Sequence, residues 1–157
     1  MSDRMIHALT ITSVLGSGIV AGVFFAFSSF VMAALARLPA NQGIAAMQSI
    51  NITVINPLFM LILFGTGLLG AALAVGVYLA WPQPRGLLLV AGAVVYIVGV
   101  LGVTMAGNVP LNAALAAANP QSAEASWWAG YLADWTTWNH VRTIASALSM
   151  LLFLLAL

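Results

Sequence analysis

The residues best suited to chemistry lie at positions 135–142, which read WTTWNHVR. This stretch holds an imidazole that can carry a proton, a guanidinium and an amide that donate hydrogen bonds, and two indoles that can stack on a planar ligand. Only 4% of the chain is charged. Such a concentration of polar groups in so apolar a chain predicts a binding or catalytic site here.

Helical spacing predicts that several polar residues in and after this stretch share one face of a helix. The polar residues at i, i+3, i+4 and i+7 are Asn139, Arg142, Thr143 and Ser146. They share one face of a helix, and we expect that face to look inward. The alternative is that Arg142 reaches to the membrane interface, Trp135 and Trp138 form an aromatic belt, and Asp134 or Thr137 caps the helix.

The composition assigns the chain to a class. Hydrophobic residues make up 63% of it and the mean hydropathy is +1.09, far above soluble domains. Continuous apolar runs exclude a barrel, whose strands alternate in polarity. The sequence therefore predicts an all-α integral membrane protein, a bundle of four transmembrane helices forming one domain over residues 1–157. The predicted helices cover residues 6–35, 56–80, 86–106 and 139–157.

The three connections between these helices differ in character. Residues 81–86 (WPQPRG) indicate a tight turn after the second helix. Residues 42–55 indicate a short helix that lies along the interface or leads into the second helix. Asn56 and Pro57 then cap and start the second helix, or mark a kink if the helix is continuous. Residues 107–138 form the longest polar stretch, and we expect a long polar loop there between helices three and four.

Four crossings bring most polar side chains to one end of the bundle. The residues concerned are Arg37, Gln48, Asn51, Asn56, Asn108, Asn112, Asn139, His140 and Arg142. Because polar groups at membrane depth face the interior or a wet cavity, their convergence predicts a pocket at this end. Asn108 and Asn112, which flank Pro110, are equally typical of caps and turns at a helix end.

Several classes of chemistry are excluded or weakly supported. A net charge of +1 offers no basic patch for nucleic acid, and the absence of cysteine excludes disulfides and thiolate sites. His7 and His140 fall at opposite membrane faces, about 30 Å apart, so they cannot share a haem. His140 with Asp134 and Glu124 makes a poor metal set. We predict no metal site and no cofactor.

Small residues in the first helix predict close helix packing. Gly18 and Gly22 form a small-xxx-small pair that Ala26 extends. The contact lies either within the subunit or between two copies, so these glycines predict a possible homo-oligomer interface. Phe25 belongs to a group of phenylalanines that would surround this contact or line an apolar pocket.

Short motifs along nearly the whole chain resemble a known family. They are GVFFAFS at 22–28, LARLP at 35–39, MQSIN at 47–51, INPLFM at 55–60, NVPLN at 108–112 and WTTWNHVRT at 135–143. In order and spacing they resemble the anthrone oxygenase family of small membrane proteins.

The resemblance implies oxidation of an anthrone-like phenolic to a quinone by dioxygen, with no recognised cofactor. The residues that the sequence places together are compatible with this reaction. Our hypothesis is a catalytic set in which His140 is the base, while Arg142 and the amide of Asn139, Asn108 or Asn112 hold the oxyanion. The remaining polar and aromatic residues would bind the substrate. They are Asn51, Asn56, Asn108, Asn112, Trp135, Trp138 and Phe25.

A second interpretation stays open at this point. The chain is then a membrane protein without activity that binds a lipid, a quinone or another hydrophobic small molecule, or has a structural role, and its asparagines and Arg142 join the helices together. In either case the partners are the bilayer and an apolar or aromatic small molecule. We expect an integral protein of a bacterial inner membrane with both termini in the cytoplasm.

Overall fold

The structure, a computed structural model, describes residues 2–79 and 85–157. The described chain is built of helices and contains no strand. In chain order the α-helices are α1 (Asp3–Ala26), α2 (Met32–Ala36), α3 (Ala40–Thr53), α4 (Pro57–Leu79), α5 (Gly86–Tyr96), α6 (Val109–Ala117) and α7 (Ala125–Leu155). Single π-helical turns at Phe27–Val31, Ile97–Gly102 and Thr104–Asn108 interrupt two of the long helices.

In the described part of the chain, four continuous helices are long and apolar enough to cross a membrane. They run over Asp3–Ala36, Pro57–Leu79, Gly86–Ala117 and Ala125–Leu155, and are called here the first to fourth spans. The predicted class, an all-α protein with four membrane-spanning helices, is confirmed, and the architecture fits an integral membrane protein. The predicted tight turn at 81–86 lies mostly outside the described residues.

The long polar loop predicted between helices three and four is wrong. The third span continues to Ala117, the fourth begins at Ala125 instead of residue 139, and residues 118–124 connect them. Pro110 does not stop the third span because it occupies one of the first two positions of α6, where proline is tolerated. Asp134 and Thr137 therefore lie inside α7 and cap nothing; the Thr137 hydroxyl donates to the carbonyl oxygen of Ala133.

The fourth span is the centre of the bundle. α7 packs along α1 and α5, while α4 packs against α1 and α5 on the other side. Beyond Thr104 the third span packs on α7 and, through α6, on α3 instead of on α4. The second and third spans therefore diverge beyond Thr104.

The short helix predicted at 42–55 is present as α3, which lies across the polar end. Its Gln48 amide donates to the carbonyl oxygens of Leu115 (2.8 Å) and Ala118 (2.9 Å) at the end of the third span. Asn56 caps α4, as expected, because its Oδ1 accepts from the backbone nitrogen of Phe59 (3.0 Å). These bonds fix α3 over the end of the bundle.

Glycine allows the third and fourth spans to approach closely. A Cβ on Gly99 would lie 2.6 Å from the Cβ of Ala145. Gly18 lies under the Met150 sulfur, so it packs within the subunit, whereas a Cβ on Gly22 would meet nothing within 4 Å. A homo-oligomer through Gly18 and Gly22 stays a prediction.

We predict that Gly99→Ala destabilises the bundle. The added methyl group would press on a Cβ fixed to the α7 backbone, so the two spans must separate, at a cost of about 1–3 kcal/mol. Gly130→Ala in α7 is the matched control, because a Cβ there meets nothing within 4 Å. Thermal unfolding in detergent measures both; equal melting temperatures for the two variants would contradict this account of the contact.

Candidate ligand site at the polar end of the bundle

A cavity of about 200 Å³ lies between all four spans and the end of α3. Its walls are mostly apolar, and aromatic rings from three spans contribute to them. These rings belong to Phe24, Phe27, Phe59, Phe64 and Trp135. Pockets that bind small molecules are typically apolar with a few placed polar groups, and this cavity has that composition.

The charged group of the cavity is the guanidinium of Arg142, whose side chain is only 6% exposed. Its Nη2 donates to Asn139 Oδ1 (2.7 Å) and its Nη1 to Thr104 Oγ1 (3.4 Å), both neutral partners. The guanidinium carbon lies 4.1 Å from the ring centre of Phe24 and 5.2 Å from that of Trp135, both within cation–π range. Its Nε is buried without an acceptor. A cation so placed can still donate to an oxygen of a ligand.

Asn139 is fully buried and holds this cation in place. Its Nδ2 donates to the carbonyl oxygen of Phe24 (2.7 Å) and to Ser28 Oγ (2.8 Å), both in the first span. Its Oδ1 faces Arg142. The predicted inward face is confirmed, because Asn139, Arg142 and Ser146 are all buried. The Asn139 amide thus joins the fourth span to the first and orients the guanidinium.

Asn108 and Asn112 join the third span to the fourth. Asn108 Nδ2 donates to the carbonyl oxygen of Trp135 (3.2 Å). Asn112 Oδ1 accepts from Trp135 Nε1 (2.8 Å) and from the Tyr131 hydroxyl (3.3 Å). These bonds fix the Trp135 indole as a cavity wall. The alternative that both asparagines only cap a helix end is wrong: the side chain of Asn108, although next to α6, makes no capping bond.

The second polar group of the cavity is the Asn51 amide. Asn51 lies at the end of α3 and lines the cavity; its Nδ2 is buried near the Tyr131 hydroxyl but makes no close hydrogen bond. An unpaired buried amide costs about 1–3 kcal/mol, which a ligand oxygen would recover. Together with Thr104 and Asn112, Arg142 and Asn51 therefore give the mostly apolar cavity a few polar contacts.

Six predicted site residues do not line the cavity. Asn108 and Asn139 are bonded to the lining residues Trp135 and Arg142, and the other four lie elsewhere. His140 is exposed and lies about 100° around α7 from the buried Asn139. Phe25 is 61% exposed on the outside of α1, and Trp138, 42% exposed, covers Gly107. Asn56 caps α4. Among residues 2–79 and 85–157 no three His, Cys, Asp or Glu side chains come together, so Glu124, Asp134 and His140 form no metal set.

Other cavity residues were not predicted. Thr104 and Met105 lie in a long apolar run of the third span, and nothing in their spacing marks them. Tyr131 does not line the cavity, but its hydroxyl donates to the lining residue Asn112. It precedes Trp135 by one helical turn, and this spacing was not used because a loop was predicted there. The π-helical turns at Phe27–Val31 and Thr104–Asn108 each supply a cavity residue, and π turns are frequent at functional sites.

Comparison with known proteins identifies one match. A family model described as anthrone oxygenase matches residues 59–152, well over half of the chain. The matched region contains most of α4 and the Thr104, Asn112, Trp135 and Arg142 walls of the cavity. No match was found among curated proteins or among solved structures.

We predict that Asn139→Ala destabilises the protein by about 1–2 kcal/mol, because two bonds to the first span and one to Arg142 are lost together. Thr137→Ala is the control, since Thr137 is exposed on the same helix and bonds only within it. Thermal unfolding in detergent compares the two. An unchanged melting temperature for Asn139→Ala would show that the amide does not join the spans.

Proposed function

The chain belongs to the anthrone oxygenase family, and we propose that it oxidises an anthrone-like phenolic to a quinone with dioxygen inside the bundle. The family assignment supports an oxygenase-type role. The observation that carries the proposal beyond the family is the Arg142 guanidinium, buried on the wall of an aromatic cavity with a free donor. An aromatic ligand bearing an oxygen matches both features.

The ligand oxygen accepts a hydrogen bond from Arg142 and the planar rings lie among the aromatic walls. An acidic C–H bond para to this oxygen then ionises, because the guanidinium stabilises the resulting anion. Such stabilisation is worth about 3 kcal/mol per well-placed donor. Arg142, oriented by Asn139 and Thr104, thus favours the electron-rich form of the substrate that reduces oxygen.

The oxidation balances with dioxygen alone. The substrate anion gives one electron to dioxygen, and the two radicals combine to form a C–O bond and, after protonation, a hydroperoxide. Loss of water breaks the O–O bond and the second C–H bond and leaves a carbonyl. One oxygen atom ends in the quinone and the other in water, so the substrate loses four electrons and dioxygen gains them.

The first proton needs an acceptor, and His140 does not line the cavity. The described lining contains no Asp, Glu or His. A groove lined by Gln48, Asn51 and Asn112 continues from the cavity toward the polar end, and we propose that the proton leaves to water along it. This route gives His140 no role in the reaction.

The lack of a base in the described cavity wall also favours a second candidate function. A protein that only binds an oxygen-bearing aromatic molecule or a quinone needs Arg142, Asn51 and the aromatic walls, and it needs no proton acceptor. Both candidate functions predict the same affinity for an oxygen-bearing aromatic molecule, but a binding protein would show no turnover. An activity measurement therefore distinguishes them.

We predict that Arg142→Gln lowers kcat for a simple anthrone about 10²-fold, because the donor to the developing anion is lost. His140→Ala, two positions away and exposed, is the matched control and should keep the wild-type rate. Oxygen uptake and quinone formation are followed together, with a protein-free sample to subtract spontaneous oxidation. Uptake at that background for the folded wild-type protein would contradict the oxygenase proposal.

We predict that Asn51→Ala weakens binding of 1-hydroxyanthraquinone, a stable product-like probe, about five- to tenfold, the value of one hydrogen bond. Asn41→Ala is the control, because Asn41 is an exposed residue of the same helix. Titration in detergent gives both dissociation constants. Equal affinities would remove Asn51 from the proposed site.

A further inference from the structure

We infer that the ligand reaches the cavity sideways from the lipid bilayer, through an opening between the second and third spans. The inference rests on the proposed function for the ligand's identity, although the passage itself follows from the shape of the bundle. It assigns to Phe64, Met105 and Val109 the role of selecting what passes.

The opening arises where two spans diverge. α4 packs against α5 and the turn Ile97–Gly102, whereas the third span from Thr104 onward turns to α7 and α3. Phe64 of α4 and Met105 and Val109 of the third span line the cavity. All three are also exposed on the outside of the bundle. Side chains with both properties lie at the rim of an opening. Ile55 has them too, but it belongs to the groove at the polar end, whereas Phe64 and Met105 lie between the second and third spans and do not line that groove.

The depth of this rim places it in hydrocarbon. Phe64 lies seven residues after Pro57, where α4 begins at the polar end. A helix rises 1.5 Å per residue, so the rim is about 10 Å inside a hydrocarbon layer of about 30 Å. The opening therefore faces acyl chains.

The rim selects neutral over charged molecules before the cavity selects among them by shape. The rim is apolar, so a neutral, membrane-dissolved aromatic molecule passes it at little cost, while an ionised or sugar-bearing derivative must shed its hydration. The polar contacts then lie inside, at Thr104, Asn112, Arg142 and Asn51. The ligand loses its proton only after it has passed the rim.

The test uses the absence of cysteine from the chain. Leu63 lines the cavity and is buried, so Leu63→Cys places one thiol behind the rim. The protein is reconstituted in phosphatidylcholine nanodiscs and treated with N-phenylmaleimide, a small neutral aromatic reagent, and alkylation is followed by mass spectrometry. No anthrone is needed, so the result does not depend on the proposed reaction.

Three second substitutions separate the routes. Met105→Trp fills the rim, and we expect it to slow alkylation about tenfold. Val98→Trp is the matched control, because Val98 and Met105 lie in the same span and are each 62% exposed, but Val98 does not line the cavity. Ile52→Trp fills the groove at the polar end. Neither of these two should change the rate more than about twofold.

A slower reaction cannot come from a damaged fold, since unfolding would expose the thiol and speed its alkylation. Slowing by Ile52→Trp without slowing by Met105→Trp would overturn the inference in favour of access from the polar end, and equal rates in all variants would overturn it as well. Slowing by Met105→Trp alone supports it. If wild-type protein then shows no anthrone turnover, the oxygenase proposal fails while the lateral opening stands.

Discussion

The structure depends on one costly group, the guanidinium of Arg142 inside an apolar bundle. A central arginine costs a membrane helix about 3 kcal/mol on insertion scales, and here its partners are neutral. The chain meets this cost with an amide oxygen from Asn139, a hydroxyl from Thr104 and the faces of two aromatic rings, those of Phe24 and Trp135. Asn139 is in turn bonded to the first span, and Trp135 to the third through Asn108 and Asn112. The polar network that joins the helices is therefore also the network that orients the cation.

This arrangement unites the two interpretations that the sequence left open. The asparagines do join the spans, as the structural interpretation expects, but their bonds leave Arg142 Nε and Asn51 Nδ2 without partners beside a cavity. A ligand oxygen in the cavity would supply the acceptor that each of these two donors lacks. Family membership gives such a cavity an oxygenase-type context. A rigid frame, an exposed apolar rim and an unpaired cation together describe a site for a lipid-soluble aromatic molecule carrying an oxygen.

Four long apolar runs in the sequence predicted four membrane-spanning helices, because a backbone that crosses a bilayer must satisfy its hydrogen bonds internally. Helix ends were harder to predict. A hydropathy profile shows only how far a segment is apolar. The fourth span begins at Ala125, fourteen residues before the predicted start at 139, because Trp128, Tyr131 and Trp135 in the more polar stretch pack inward. The spacing that turned Asn139 and Arg142 inward also turns His140 outward, so this residue could have been removed from the site by the same argument. The role of Thr104 and the lateral opening could not be predicted from the sequence, since both depend on how segments distant in the chain diverge in space.

The most direct test of the central claim is the absorption spectrum of 1-hydroxyanthraquinone bound to the folded protein, compared with that bound to Arg142→Gln. Hydroxyanthraquinones absorb at longer wavelength once their hydroxyl group ionises, so the bound spectrum reports which form the cavity holds. The account predicts the anion in the wild-type protein, at a pH where the free molecule is neutral, and the neutral form in the variant. A neutral spectrum in both proteins would contradict the claim that Arg142 binds and stabilises an aromatic oxyanion.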